Sequence, residues 1–170
     1  MAIHERHIWA SELLDLQPFE VILEIGCGPG ITASLAAGGL KSGELHLLDR
    51  SEKSMQQAIK KNKLYIDKGI VKPIVGTFGE VALPSDKYDK IYCFNVRLLF
   101  EDNPQELSIV KKMIGQNGLF YMFFQPPYHL PDQMTELSKK ILENNGFEVI
   151  RTEVRQMSPG PSLCHIAKSI

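Results

Sequence analysis

Short, almost wholly apolar runs recur along this chain at 21–25, 45–48, 70–75, 91–94 and 119–124. Runs of this kind suit strands buried on both faces, as in a parallel sheet covered by helices. The segments between them carry helical spacing, at 31–40, 51–67, 104–114 and 132–145. One more helix is predicted ahead of the first strand, over 5–16, where Ile8, Trp9, Leu13 and Leu16 fall roughly on one side. The punctuation agrees with these bounds. Pro18 ends the first helix, Ser51 is an N-cap with Gly69 as the stop, and Asp132 is a cap with Gly146 as the stop. The end of the chain reads differently. Residues 147–155 and 162–168 are strand-like and are joined through Ser158, Pro159, Gly160 and Pro161. No helix fits there, so the two predict an antiparallel hairpin at a sheet edge. The expected fold class is α/β, a doubly wound, mostly parallel seven-stranded sheet with a C-terminal antiparallel hairpin and helices on both faces.

Composition narrows the classes of function. The chain has 170 residues, 44% hydrophobic and 23% charged, which suits one domain spanning 1–170 with a single core. The formal net charge of −1 gives no electrostatic reason to expect a nucleic-acid or anionic-membrane partner. Lys60, Lys61 and Lys63, Lys111 and Lys112, and Lys139 and Lys140 fall inside helical patterns and read as solvated faces. Cys27, Cys93 and Cys164 are odd in number and far apart, without metal or disulfide spacing. With no signal-peptide core and no membrane-length apolar run, the expectation is a cytoplasmic protein that binds no metal.

Chemistry concentrates after the first strand, in Glu24, Ile25, Gly26, Cys27, Gly28, Pro29 and Gly30. Glycines there let a ligand approach backbone that any side chain would shield. A strand, loop and helix at the start of a doubly wound sheet is also where such sheets bind nucleotides. Dinucleotide binders space their glycines at the first, third and sixth positions. Counted from Gly26, the third glycine is at the fifth position, Gly30, and the sixth is Ile31. Pro29 also lacks the N–H that would face a pyrophosphate. S-adenosylmethionine (SAM) carries no phosphate, so the loop favours SAM over nicotinamide or flavin.

From these residues the chain resembles the class I, Rossmann-like SAM-dependent methyltransferases. The resemblance runs from about Trp9 to the final hairpin, and its most specific element is the acidic-x-Gly-x-Gly-x-Gly motif over 24–30. It implies a methyltransferase with SAM as cofactor, and a seventh, reversed strand that fits the hairpin. It also implies that Asp49, after the second strand and before Arg50, accepts the ribose hydroxyls. The alternative for Asp49 is an acid stabilising the next helix dipole. The family's acid near the adenine amino group aligns with Thr77, with Glu80 as a shifted alternative, and Phe78 packs either on adenine or in the core. Asn95 and Arg97, at the end of the fourth strand, fall where the family keeps residues beside the sulfonium and the substrate. Asn95 equally fits a strand-end backbone partner.

Gln125, Pro126, Pro127 and Tyr128 look like the Asn/Asp-Pro-Pro-Tyr motif of amino-group methyltransferases. That motif belongs after the fourth strand, and this one follows the fifth, so amino-group methylation does not follow from it. Trp9, Arg97, Gln125 and Tyr128 are the substrate-side candidates. His4, His7 and His129 are the histidines near the expected site, each better explained as a surface or packing residue than as a base. No catalytic residue is assigned. The acceptor is expected to be a small molecule. A lid comes from the N-terminal helix (1–17), from a second subunit of a homo-oligomer, or from a large substrate itself. The competing readings are a non-catalytic SAM-binding module and a nicotinamide oxidoreductase.

Overall fold

In the computed structural model the described residues are 4–97, 103–126 and 132–170. The chain divides into two compact units, Met1–Leu83 and Pro84–Ile170. Among the described residues there are seven strands, mostly parallel with antiparallel pairing towards the C-terminus, which is the α/β class expected from the sequence.

The first unit runs α1 (Glu5–Leu14), β1 (Val21–Ile25), α2 (Ile31–Ala36), β2 (Glu44–Asp49), α3 (Glu52–Lys61), α4 (Lys63–Asp67) and β3 (Val71–Val75). β1 and β2 are parallel from Val21↔Glu44 to Ile25↔Leu48, and β2 and β3 from Leu45↔Val71 to Asp49↔Val75. Ile22, Leu23, Leu45 and Leu47 are fully buried, each contributing about 1.5–3 kcal/mol of apolar transfer. The near-continuous apolar runs are therefore the central strands, while edge strand β3 leaves Val75 exposed. Two predicted helices are shorter than the sequence suggested. The one over 31–40 ends at Ala36 and tightens into a 3-10 turn at Ala37–Gly39, where two glycines weaken helix propensity. The one over 51–67 breaks at Asn62 into α3 and α4. Ser51 is the N-cap of α3, its side chain accepting from Ser54 N at 3.2 Å.

The second unit runs β4 (Tyr88–Phe94), α5 (Pro104–Met113), β5 (Ile114–Phe124), α6 (Asp132–Asn144), β6 (Phe147–Arg155) and β7 (Ser162–Ser169). β4 and β5 are parallel, with a bulge where the register moves from Tyr88↔Ile114 to Lys90↔Leu119. Pro104 opens α5, and its face of Leu107, Val110 and Met113 is buried. β7 is antiparallel to both β5 and β6, which is the predicted terminal hairpin. Gly146, at φ 78°, ends α6 as expected. The residue before Asp132 lies outside the described residues, and Asp132 itself is the first residue of the helix.

Candidate functional site

In the first unit the glycine-rich loop is held by its neighbours from two sides. As β1 ends, Gly26 N and Cys27 N both donate to Leu48 O on β2, at 2.8 and 3.0 Å. Gly28 N then donates to Asp49 Oδ2 at 2.7 Å, and Ser51 N donates to Asp49 Oδ1 at 2.8 Å. Asp49 is half-buried at the C-terminal end of β2. One carboxylate thus fixes the middle of the loop and the entry to α3. An ionised carboxylate accepts about four hydrogen bonds, so each oxygen keeps capacity for a ligand hydroxyl. The helix-capping task belongs to Ser51.

The loop glycines are glycines for different reasons. Gly28 has φ +53°, and a Cβ built there would meet nothing within 4 Å. Gly30 has φ +67°, and a Cβ there would lie 2.6 Å from Asn62 Nδ2 and 2.9 Å from Ala58 Cβ. The sequence pattern suggested that all three glycines make way for a ligand. Only Gly28 of this pair opens onto free space, and Gly30 is small because α3 and Asn62 lie against it.

The other cofactor candidates are placed as follows. Glu24 is buried on β1. Cys27 is buried, and burial first, then the charges of Glu24 and Asp49, push its thiol far up, so it stays a neutral thiol. Pro29 and Arg50 are exposed and Thr77 is half-buried, its carbonyl accepting from Glu80 N and Val81 N at 3.0 and 3.2 Å. Phe78 is buried and Glu80 exposed.

α1 is joined to α2 through His7, whose Nδ1 lies 2.8 Å from Thr32 Oγ1. Arg6 Nε donates to His7 Nε2 at 3.4 Å, which leaves Nδ1 to carry the proton towards Thr32. Burial, then Arg6 and His4, lower the His7 pKa to about 4, so the ring is neutral at neutral pH. His4 is exposed. Trp9, a substrate-side candidate, is 6% exposed and belongs to the buried side of α1.

In the second unit Asn95, in a left-handed conformation with φ 55°, follows β4. Its Oδ1 accepts from Gln125 N at 2.8 Å and its Nδ2 donates to Gln125 O at 3.3 Å. This is the strand-end backbone pairing named above as the alternative for Asn95. The Gln125 side chain is 5% exposed, and its Nε2 donates to Gly160 O at 2.8 Å and to Ser158 O at 3.4 Å. It fastens the β6–β7 connection. Arg97 is exposed, and Tyr128 and His129 lie outside the described residues. The structure gives Gln125 a forecast distinct from substrate contact. Gln125→Ala strands the buried Gly160 carbonyl at about 1–3 kcal/mol, so its thermal midpoint is expected to fall by several degrees. A purely substrate-facing side chain would lower turnover at an unchanged midpoint. Thermal denaturation beside a turnover assay decides between them.

Sequence reasoning missed Asn62 and His165. His165 is fully buried between Ser138 Oγ, 2.8 Å from Nε2, and Thr152 Oγ1, 2.9 Å from Nδ1. Burial lowers its pKa to about 4, and it is a neutral packing residue. Its signal was one polar residue inside the apolar run of β7. Among the described residues no group of three or more His, Cys, Asp or Glu could hold a metal ion, and no helix is long and apolar enough to cross a membrane.

A family model described as a methyltransferase domain matches residues 17–157. The uncharacterized methyltransferase YdaC of Bacillus subtilis is 26% identical over 165 residues, covering 94% of this chain and 89% of that protein. Among solved structures, a SAM-dependent methyltransferase from Aquifex aeolicus matches with a TM-score of 0.77 at 15% identity, over 98% of this chain and 90% of that one. A magnesium protoporphyrin IX methyltransferase from Synechocystis PCC 6803, solved with bound SAH, matches with a TM-score of 0.73 at 18% identity, over 96% and 81% of the two chains. At these identities the structural likeness speaks for the fold.

Proposed function

The chain belongs to the methyltransferase domain family; it is a SAM-dependent methyltransferase, and we propose that it methylates a small molecule. The observation that carries the cofactor side is the bond from Gly28 N to Asp49 Oδ2 beside the open space at Gly28. Asp49 holds the ribose through its remaining lone pairs, Gly28 admits the ligand against the backbone, and Arg50, Thr77 and Phe78 are the candidates for the adenosine end. SAM supplies an already electrophilic methyl group, so alignment is the main task of the protein. The neutral Cys27 thiol does not compete for the methyl group, because a thiol is a far weaker nucleophile than a thiolate.

The small-molecule acceptor is supported by the net charge of −1, which offers no excess of positive charge to a nucleic acid. α1, tied to α2 through His7 and Thr32, is the candidate lid, and three buried cysteines outside any disulfide fit a reducing compartment such as the cytoplasm. The test has two arms. Calorimetry is expected to show binding of SAM and S-adenosylhomocysteine (SAH) and none of NAD or NADP. Labelled methyl from SAM is then expected to appear in low-mass products of a metabolite extract, with a chelator present or absent. Tight NAD binding without SAM binding would overturn the cofactor side. Label found only in macromolecules would overturn the acceptor side, and no transfer at all would favour a binding module.

A further inference from the structure

We infer that Asn62 is a positioning residue for SAM, setting the loop geometry through Gly30; this rests on reading the glycine-rich loop as the SAM cradle. Asn62 sits where α3 gives way to α4 and is fully buried. Its Nδ2 donates to Gly30 O at 3.0 Å and to Ala58 O at 2.9 Å. Both partners are acceptors, so the amide orientation is fixed with the NH2 group towards them. Oδ1 is then buried without a hydrogen-bond partner. Such a group is destabilising in a folded interior and calls for a reason.

Stranded carbonyls do not supply that reason. Gly30 O already accepts from Ser34 N at 3.2 Å, and Ala58 O from Asn62 N at 2.9 Å. The side chain adds a tie between α3 and the loop, close enough that a Cβ on Gly30 would collide with it. The loop is then pinned at Gly28 by Asp49 and at Gly30 by Asn62. Gly28, which must meet the ligand, then cannot drift relative to the carboxylate. Asn62 touches no ligand in this role and acts through the Gly30 carbonyl.

Asn62→Leu separates positioning from support, because leucine has similar bulk and no polar atom to strand. SAH affinity by calorimetry is expected to weaken about three- to tenfold, the net worth of one hydrogen bond. The thermal midpoint should stay at or above that of the parent, and KM for SAM should rise with little change in kcat. SAH affinity at the parent level would overturn the inference whatever the midpoint. Should Asn62→Leu not fold, Asn62→Ala fits the same space and is read by the same affinity criterion. Gly28→Val is measured alongside. If it too binds SAH as the parent does, the reading of the loop itself fails; if it alone loses binding, only the role of Asn62 fails.

Discussion

Gly28→Val is expected to weaken binding of SAM and SAH about ten- to a hundredfold or more while the protein stays folded. The space beside Gly28 is empty of protein, since an added Cβ would meet nothing within 4 Å. A branched side chain in that space excludes a ligand from the backbone it must reach. Overpacking of this kind costs about 1–3 kcal/mol or more, and each 1.4 kcal/mol is about a decade in affinity. The protein itself bears only the strain of a β-branched residue at φ +53°, so a thermal midpoint lowered by a few degrees is expected. Calorimetry with SAH and a melting curve on the same sample check both halves. Parent-like affinity would move the site away from the loop.

Asp49→Ala is expected to weaken SAM binding about ten- to a hundredfold. Hydrogen bonds to a charged group are worth about 1.5–3 kcal/mol, and 1.4 kcal/mol is about a decade. The sequence alone gave Asp49 two rival roles, ribose acceptor and helix-dipole acid. The structure gives it a further one, since its two oxygens hold Gly28 N and Ser51 N. This changes the forecast for the conservative variant. From the ribose contact alone, Asp49→Asn should cost less than alanine. With two amide donors aimed at the carboxylate, an asparagine NH2 must face one of them, donor against donor. The two variants are therefore expected within a fewfold of each other in affinity. A variant that melts earlier but binds SAM as the parent does would remove Asp49 from the site.

What was legible in the sequence follows from the range over which each feature is determined. β1 and its loop were legible because a fully buried strand needs an apolar run and left-handed turns favour glycine, both properties of adjacent residues. The hairpin was legible because Ser158 to Pro161 leave no room for a helix. The break between α3 and α4 was not, because an asparagine inside a helical pattern reads as a solvated position. Yet Met55, Ala58 and Asn62 are spaced by three and four residues, one helix face, and all are buried. A polar residue on that face was the available signal. The early start of β5 was not legible because Gly115, Gln116, Asn117 and Gly118 interrupt the apolar run, although Gly118 sits there because a Cβ would lie 2.6 Å from Tyr88 O. The job of Gln125 was beyond local reading, since the Gly160 carbonyl it holds is 35 residues away.

The unequal surroundings of Gly28 and Gly30 have a consequence for how such a chain can diverge. Gly30 is constrained by its own scaffold, by Asn62 and Ala58, and that constraint persists whether or not a ligand is ever bound. A Cβ added at Gly28 would meet no protein atom within 4 Å, so on the proposed cofactor site only the left-handed backbone and bound SAM stand against a side chain there. In a descendant that gave up methyl transfer, selection would relax first at Gly28, where asparagine or aspartate tolerates the backbone best. Gly30 would be retained as long as α3 was. A loop with glycine at position 30 and a larger residue at position 28 would then be the inherited trace of a scaffold that had lost its cofactor.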